Sequence, residues 1–338
     1  MPIRRYLNGD YPKVLELIRA VYDENAYKIA SQRFQWQYKT NPNNGPQDPL
    51  IYVVEENNAI VGMLCAFAQK VKIGNRIYPA YWLGDLMVHP DFRASYNGLR
   101  LVREMVTNPY LGMGFPAEYL IKIYFRVGAI QFSQLLRFSR TIQPSFKEKQ
   151  NIATKLKNFV NHKILSGVKI IEINHFDERF DRLWENASKD YQALQVRDSV
   201  FLNWRFTQCP HISYRILTAI IKDEVLGYMV LREIDHGGFR EGSIVDLFTD
   251  RSNNAVIPVL MQAGIKFFTH NNCKVIKMTI SSTDVLLTKA LQNFSFMDCE
   301  KIDRGLIYCN TGINLNSIIN EFSDWFLTRA DSDMDFSE

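Results

Sequence analysis

The chain has 338 residues, of which 46% are apolar and 22% charged, and a formal net charge of +4. That length accommodates two domains with cores of their own, and so mild a charge lacks the basic footprint of a nucleic-acid-binding protein, so no nucleic acid is expected. There is no run near the ~18 apolar residues of a membrane span and no signal-peptide core in "MPIRRYLNGDYPKV", and the five cysteines have no CxxC spacing for a disulfide framework or zinc site; a metal-free protein of the reducing cytoplasm is expected. In chain order, "IRRYLNGDYPKVLELIRAVY" reads as a strand, Asp10 and an amphipathic helix. "FQWQYKTNP" (34–42) follows, then a hairpin, "IYVVEENNAIVGMLCAF", whose second strand carries Gly62. Asp85-Leu86 opens another apolar strand in "GDLMV". Residues 88–102, "VHPDFRASYNGLRLV", lead from that strand through His89-Pro90 and Arg93 to a helix start. A helix N-terminus has unpaired N–H groups and a partial positive charge, which suits an anion and phosphate above all. The same pattern also serves as an ordinary strand–helix connection.

The order of elements then returns. Trp36 and Pro42 recur as Trp204 and Pro210, each 168 residues later. "IIEINHFDERFDRLWENA" repeats the strand, aspartate and helix with Asp177, and "RILTAIIKDEVLGYMVL" repeats the hairpin with Gly227. Asp246-Leu247 in "VDLFT" repeats Asp85-Leu86. Five coincidences in one order indicate a tandem repeat of roughly 165 residues. Each unit reads as alternating strands and helices on a mixed, largely antiparallel sheet. Between the units, "FKEKQNIATKLKNFVNHKILSG" (146–167) reads as a helix with Ile152, Leu156, Phe159 and Val160 on one face and lysines on the other. It is either a surface for anionic lipid or RNA or a solvated linker helix packed by its apolar stripe. The acidic end, "RADSDMDFSE", reads as a frayed terminus or a metal clutch.

"LGDLMVHPDFRASYNGLRLV" resembles motif A of the GCN5-related N-acetyltransferase (GNAT) superfamily: a strand of type L-x-V, then x-P-x-x-R/Q-x-x-G-x-G/A and a helix. Leu86, Val88, Pro90, Arg93 and Gly98 match, and Tyr96 replaces the first glycine. "PAEYLIKIYFRVGA" (116–129) resembles the superfamily's later helix, with Tyr124 four residues before Gly128. With the repeat, the resemblance implies an α/β (α+β) protein of two tandem GNAT-like domains, each a mixed, mostly antiparallel sheet flanked by helices. The expected boundaries are 1–142 and 168–330, with a helical linker at 143–167 and an acidic tail at 331–338. Two-domain bacterial acyltransferases and Fem-type peptidyltransferases share this arrangement.

What the resemblance implies chemically is transfer of an acyl group from acetyl-CoA or another acyl-CoA to an amine on a small molecule or peptide. A bulge in the fourth strand opens a cleft for the pantetheine arm. The backbone of Leu86, Met87 and Val88 would bind that arm and polarise the thioester carbonyl. The loop Arg93, Ala94, Ser95, Tyr96, Asn97 and Gly98 would wrap the pyrophosphate. Tyr96 restricts the positive φ that a glycine supplies, which predicts a distorted loop, and Arg93 is either a phosphate partner or a surface charge. Attack by an amine requires a base for the ammonium, and departure of the thiolate is helped by an acid. Tyr124 is the candidate acid, or else a core tyrosine. Asp85 is the candidate base, acting directly or through water; the matching Asp246 makes a structural role, such as capping a turn, equally consistent.

In the second unit the loop "TDRSNNAVIPVL" has no glycine, and Pro258 predicts a helix that starts late. Leu291 and Ser295 stand where Tyr124 and Gly128 do. The first half is therefore expected to be catalytic and the second to be a wall of the acceptor site. Two other classes remain open: a Fem-type aminoacyl-tRNA-dependent transferase, and a non-catalytic acyl-CoA-binding protein.

Overall fold

In the computed structural model, which describes residues 2–142, 167–253, 255–309, 325–333 and 335, the amphipathic pattern after Asp10 becomes helix α1 (Tyr11–Val21). Pro12 lies in its first turn, where a missing N–H leaves no intrahelical bond unmade, and Val14, Leu17 and Ile18 form the buried stripe. Helix α2 (Glu24–Phe34) is capped by the Asp23 side chain, which accepts from the Ala26 N–H at 2.9 Å. It runs into a π-helical turn over Gln35–Lys39, closed by the Thr40 N–H donating to the Gln35 carbonyl. The turn buries Trp36, Gln37 and Tyr38.

The chain divides into two compact units. The first holds the residues up to Ser133, Cys209–His211 and the segment beginning at Asp303. Its sheet orders β1 (Ile3–Arg5), β2 (Leu50–Glu56), β3 (Ala59–Ile73), β4 (Arg76–Val88), β5 (Leu111–Gly114) and the end of β13 (Met297–Cys309). All pairings are antiparallel except β4 with β5. The β2–β3 hairpin turns on Asn57-Asn58, with φ of 48° and 66°, as a two-residue hairpin loop requires. Helices α3 (Asn97–Val106) and α4 (Glu118–Arg126) share one core with the sheet, in which Leu64, Leu101, Val102 and Met105 are fully buried.

The second unit is built on the same plan. Its sheet orders β7 (Lys169–Ile173), β9 (Arg215–Ile221), β10 (Glu224–Asp235), β11 (Arg240–Thr249), β12 (Cys273–Ser281) and the end of β6 (Ile130–Thr141), and only β11 and β12 pair in parallel. Helices α5 (Glu178–Ala187), α6 (Ser199–Leu202), α7 (Val256–His270) and α8 (Val285–Asn293) belong to it, with short strands β8 (Ala193–Gln195) and β14 (Trp325–Phe326) paired in parallel. Helix α6 also runs into a π-helical turn, Asn203–Thr207, at the 168-residue offset of the tryptophan–proline pair.

Two expectations are corrected here. Helix α7 does not start late: it begins at Val256 and takes Pro258 as its third residue. There the missing N–H is one of the first-turn groups that lack an intrahelical partner anyway. The described part of the acidic tail is not frayed: Asp331 and Asp335 are buried in the second unit against arginines. The expected linker helix (146–167) lies outside the described residues. Among the described residues, no helix is long and apolar enough to cross a membrane.

Candidate functional site

The site begins with a mismatch in strand pairing. Strand β4 pairs with β5 only from Ala80 to Trp82, yet continues to Val88, so among the described residues its edge on that side runs on without a strand neighbour. On its other side β4 stays paired with β3, through a register shift: Met63 faces Met87 and Cys65 faces Gly84, leaving Asp85 and Leu86 opposite Leu64 alone. This is the bulge expected in the fourth strand, and Asp85 takes a left-handed φ of 50° in it. Leu86, Met87 and Val88 follow on the open stretch, Met87 buried and its neighbours half-buried.

Past Val88 the chain makes a short 3₁₀ turn over Pro90–Ser95. Tyr96 then adopts φ 55° and ψ 12°, and α3 begins at Asn97. Tyr96 takes the left-handed conformation that glycine would supply, which costs a residue with a Cβ about 1–2 kcal/mol, and its side chain is 77% exposed. Around it Asn97 is buried and donates to the Ser95 hydroxyl at 2.7 Å, while that hydroxyl donates to the Phe92 carbonyl. No side chain caps the N-terminus of α3. A Cβ added to Gly98 would meet only the Val88 side chain, at 3.8 Å. The packing of the described residues therefore does not require a glycine there. Arg93 and Ala94 are exposed, and the Arg93 Nε donates to the Val88 carbonyl at 3.4 Å.

An open strand edge beside an uncapped helix start fits a ligand with a long amide-bearing arm joined to a pyrophosphate, since the edge offers peptide groups and the helix offers N–H donors. CoA has that form, so Leu86–Val88 and Arg93–Gly98 fit it as a set.

Asp85 is held from two sides. Its Oδ1 accepts from the Arg33 guanidinium, on α2, and its Oδ2 from the Tyr38 hydroxyl at 2.6 Å, on the π-helical turn. The carboxylate side chain is 8% exposed. Arg33 and Tyr38 were not identifiable from sequence as site residues: they lie 52 and 47 positions before Asp85, and the repeated segment that contains Tyr38 points to no role for it.

Tyr124 sits on α4, 5% exposed, among core residues of the first unit. Burial raises its phenol well above the ordinary tyrosine value, so it stays protonated at neutral pH. Its spacing to Gly128 has a local cause as well. The Ala129 N–H donates to the Tyr124 carbonyl at 3.0 Å, and Gly128 takes φ 90°, closing the helix with a left-handed C-cap. In the second unit the Phe296 N–H donates to the Leu291 carbonyl at 3.0 Å and Ser295 takes φ 63°, so the cap is kept where the phenol is not.

The second unit's counterpart of the open edge is filled. Strands β11 and β12 stop pairing at Ile244 and Met278, although β11 runs on to Thr249. Into that space comes the C-terminal segment: Thr328 bridges to Ile280, the Ser281 N–H donates to the Leu327 carbonyl at 3.0 Å, and the Thr328 hydroxyl donates to Asp246 at 2.8 Å. Asp246 is also bound by Arg197 at 3.1 Å and by the Tyr228 hydroxyl at 2.8 Å, all three buried.

A family model described as an acetyltransferase (GNAT) domain matches residues 2–129. No curated protein matches the chain. Among solved structures, it is similar to a conserved protein of unknown function from Enterococcus faecalis described as a probable N-acyltransferase, with 11% identity and a TM-score of 0.66 over 92% of this chain and 73% of that one. It is similar to a GCN5-related N-acetyltransferase from Anabaena variabilis, at 11% identity and a TM-score of 0.64, over 90% and 72%. It is also similar to the Saccharomyces cerevisiae N-myristoyltransferase with bound myristoyl-CoA, at 11% identity and a TM-score of 0.56, over 91% and 82%. Identities this low speak for the fold alone, and that fold extends over both units.

Proposed function

This chain belongs to the GNAT superfamily of N-acyltransferases through its domain at residues 2–129, and we propose that its first unit transfers the acyl group of acetyl-CoA or another acyl-CoA to an amine. The observation that carries this reading is the unpaired edge of β4 after Trp82, directly before the uncapped, glycine-bearing start of α3. Acyl-CoA would supply a thioester, a carbonyl already activated towards an amine. The backbone of Leu86, Met87 and Val88 would align the pantetheine arm as an added strand and polarise the carbonyl. The loop Arg93, Ala94, Ser95, Tyr96, Asn97 and Gly98 would receive the pyrophosphate, with N–H groups at the helix start and the Arg93 charge beside it.

Tyr124, kept protonated by burial, would serve as the acid for the departing thiolate. For Asp85, engagement of both carboxylate oxygens by Arg33 and Tyr38 favours the structural reading over that of a free base. The acceptor is an amine on a small molecule or peptide. Because one structural neighbour carries myristoyl-CoA, donors of several chain lengths belong in the test.

The test is thermal stabilisation. A donor present at ~100 times its Kd stabilises the native state by about 2.7 kcal/mol, so melting should move upward with acyl-CoA. Arg93→Glu, which sets a negative charge beside the pyrophosphate, should reduce that shift without lowering the melting point of the free protein, since Arg93 is exposed. No shift with any acyl-CoA at millimolar concentration would refute the donor reading.

A further inference from the structure

Asp85 occupies a left-handed backbone conformation, which few residues with a Cβ adopt, aspartate more readily than most. In a bulge of this kind the left-handed position is normally a glycine's, because a Cβ crowds the neighbouring carbonyl there. Asp85 takes φ 50° nonetheless, and it is the residue just before the open stretch Leu86–Val88. Something must hold it. Both oxygens of its carboxylate are tied, one to Arg33 and one to Tyr38, and both partners are themselves fixed. Arg33 lies near the end of α2, in a side chain 11% exposed. Tyr38 is fully buried, its ring 5.3 Å from that of Phe34 and 6.5 Å from that of Phe67. The π-helical turn carries Tyr38, and such turns re-aim side chains that a regular helix would point elsewhere.

We propose that Arg33 and Tyr38 are positioning residues that act through Asp85, holding the β4 bulge in the geometry that presents the Leu86–Val88 edge to the donor. This rests on the donor site proposed above. The charges agree with it: the Arg33 guanidinium faces the Asp85 carboxylate. The Tyr38 phenol is pushed well up by burial and then by the Asp85 charge, and so is the thiol of the buried Cys65 beside them. The second unit supports the division between scaffold and chemistry. Asp246 there is likewise held by an arginine and a tyrosine, yet its backbone is not left-handed, and the edge beyond it is filled by the chain's own segment.

The experiment is calorimetric titration of CoA and acetyl-CoA into the full-length protein and its variants, with steady-state kinetics alongside. Tyr38→Phe removes one hydroxyl and keeps the ring packing; donor binding should weaken measurably. Arg33→Met removes a charged hydrogen bond and should weaken donor binding by about tenfold or more, with the acceptor KM unchanged. Arg33→Lys should recover part of the loss. The informative variant is Arg33→Met combined with Asp85→Gly: glycine adopts the left-handed position unaided and no buried charge is left unpaired. Donor affinity and turnover should both return towards the wild type. Should Arg33→Met fail to fold, Tyr38→Phe and the double variant carry the test. Donor affinity indifferent to these changes, or a double variant that binds donor normally but has lost its turnover along with the acid limb of its rate–pH profile, would make Asp85 the base and overturn the inference. A wild type that binds no CoA would overturn the donor site and this inference together, whereas normal wild-type binding with indifferent variants would overturn the inference alone.

Discussion

Replacing Arg197 by methionine is expected to destabilise the second unit by about 3–5 kcal/mol. The guanidinium is wholly buried and bonds Asp246 at 3.1 Å and Asp331 at 2.8 Å, with both carboxylates equally buried. Burial works against its charge, but Asp246 and Asp331 more than offset that, and its pKa is raised. Methionine fills a similar volume and carries no charge, so two carboxylates would be left in a site that no water reaches. The deficit should depend on pH with a definite sign. Burial raises the Asp331 pKa above its unfolded value, against the lowering influence of Arg197. A raised carboxyl favours the native state at low pH and loses that advantage as pH rises through the folded pKa. Without Arg197 the rise is larger, so the variant should lag the wild type most at neutral pH and recover towards pH 4–5, within about a unit of the ordinary carboxylate value. Urea unfolding at several pH values measures this. A loss below about 1 kcal/mol, the range of solvated surface pairs, would mean that water reaches the network.

Tyr124→Phe is expected to lower turnover by about 10²-fold, equivalent to about 2.7 kcal/mol of barrier, while leaving the fold intact. The ring lies in the core of the first unit with Leu101, Val102 and Met105, and phenylalanine preserves that packing. Only the hydroxyl is lost, and with it the proton that the proposed acid would give to the thiolate. Donor affinity should change little, which separates this variant from those at Arg33 and Arg93. Unchanged turnover on a working acceptor would return Tyr124 to the core and leave its spacing to Gly128 explained by the helix C-cap alone.

Much of this was legible in the sequence because it depends on local pattern. The alternation in the β2–β3 hairpin and the strand–helix step at residues 86–98 are each set within a few residues, and the repeat of order follows from them. What escaped depends on contacts between distant positions. Nothing near Asp85 announces Arg33 or Tyr38, since an arginine on a helix and a tyrosine beside a tryptophan are ordinary in both places. The tail misled for the same reason. Asp331 and Asp335 read as solvated acids until Arg197 and Arg232, 134 and 103 positions earlier, are brought against them. Pro258 misled in another way: it breaks the preference against proline in a helix at the first-turn position where that preference is weakest.

We propose that the chain holds one donor site, at the β4 edge and α3 start of the first unit; the matching edge of the second unit is closed by Leu327 and Thr328. Calorimetric titration with acyl-CoA, run on the wild type and on Arg93→Glu, tests it most directly. The account predicts saturation at one donor per chain and a marked weakening of that single site in the variant. Two sites of similar affinity, or one site that Arg93→Glu leaves untouched, would contradict it.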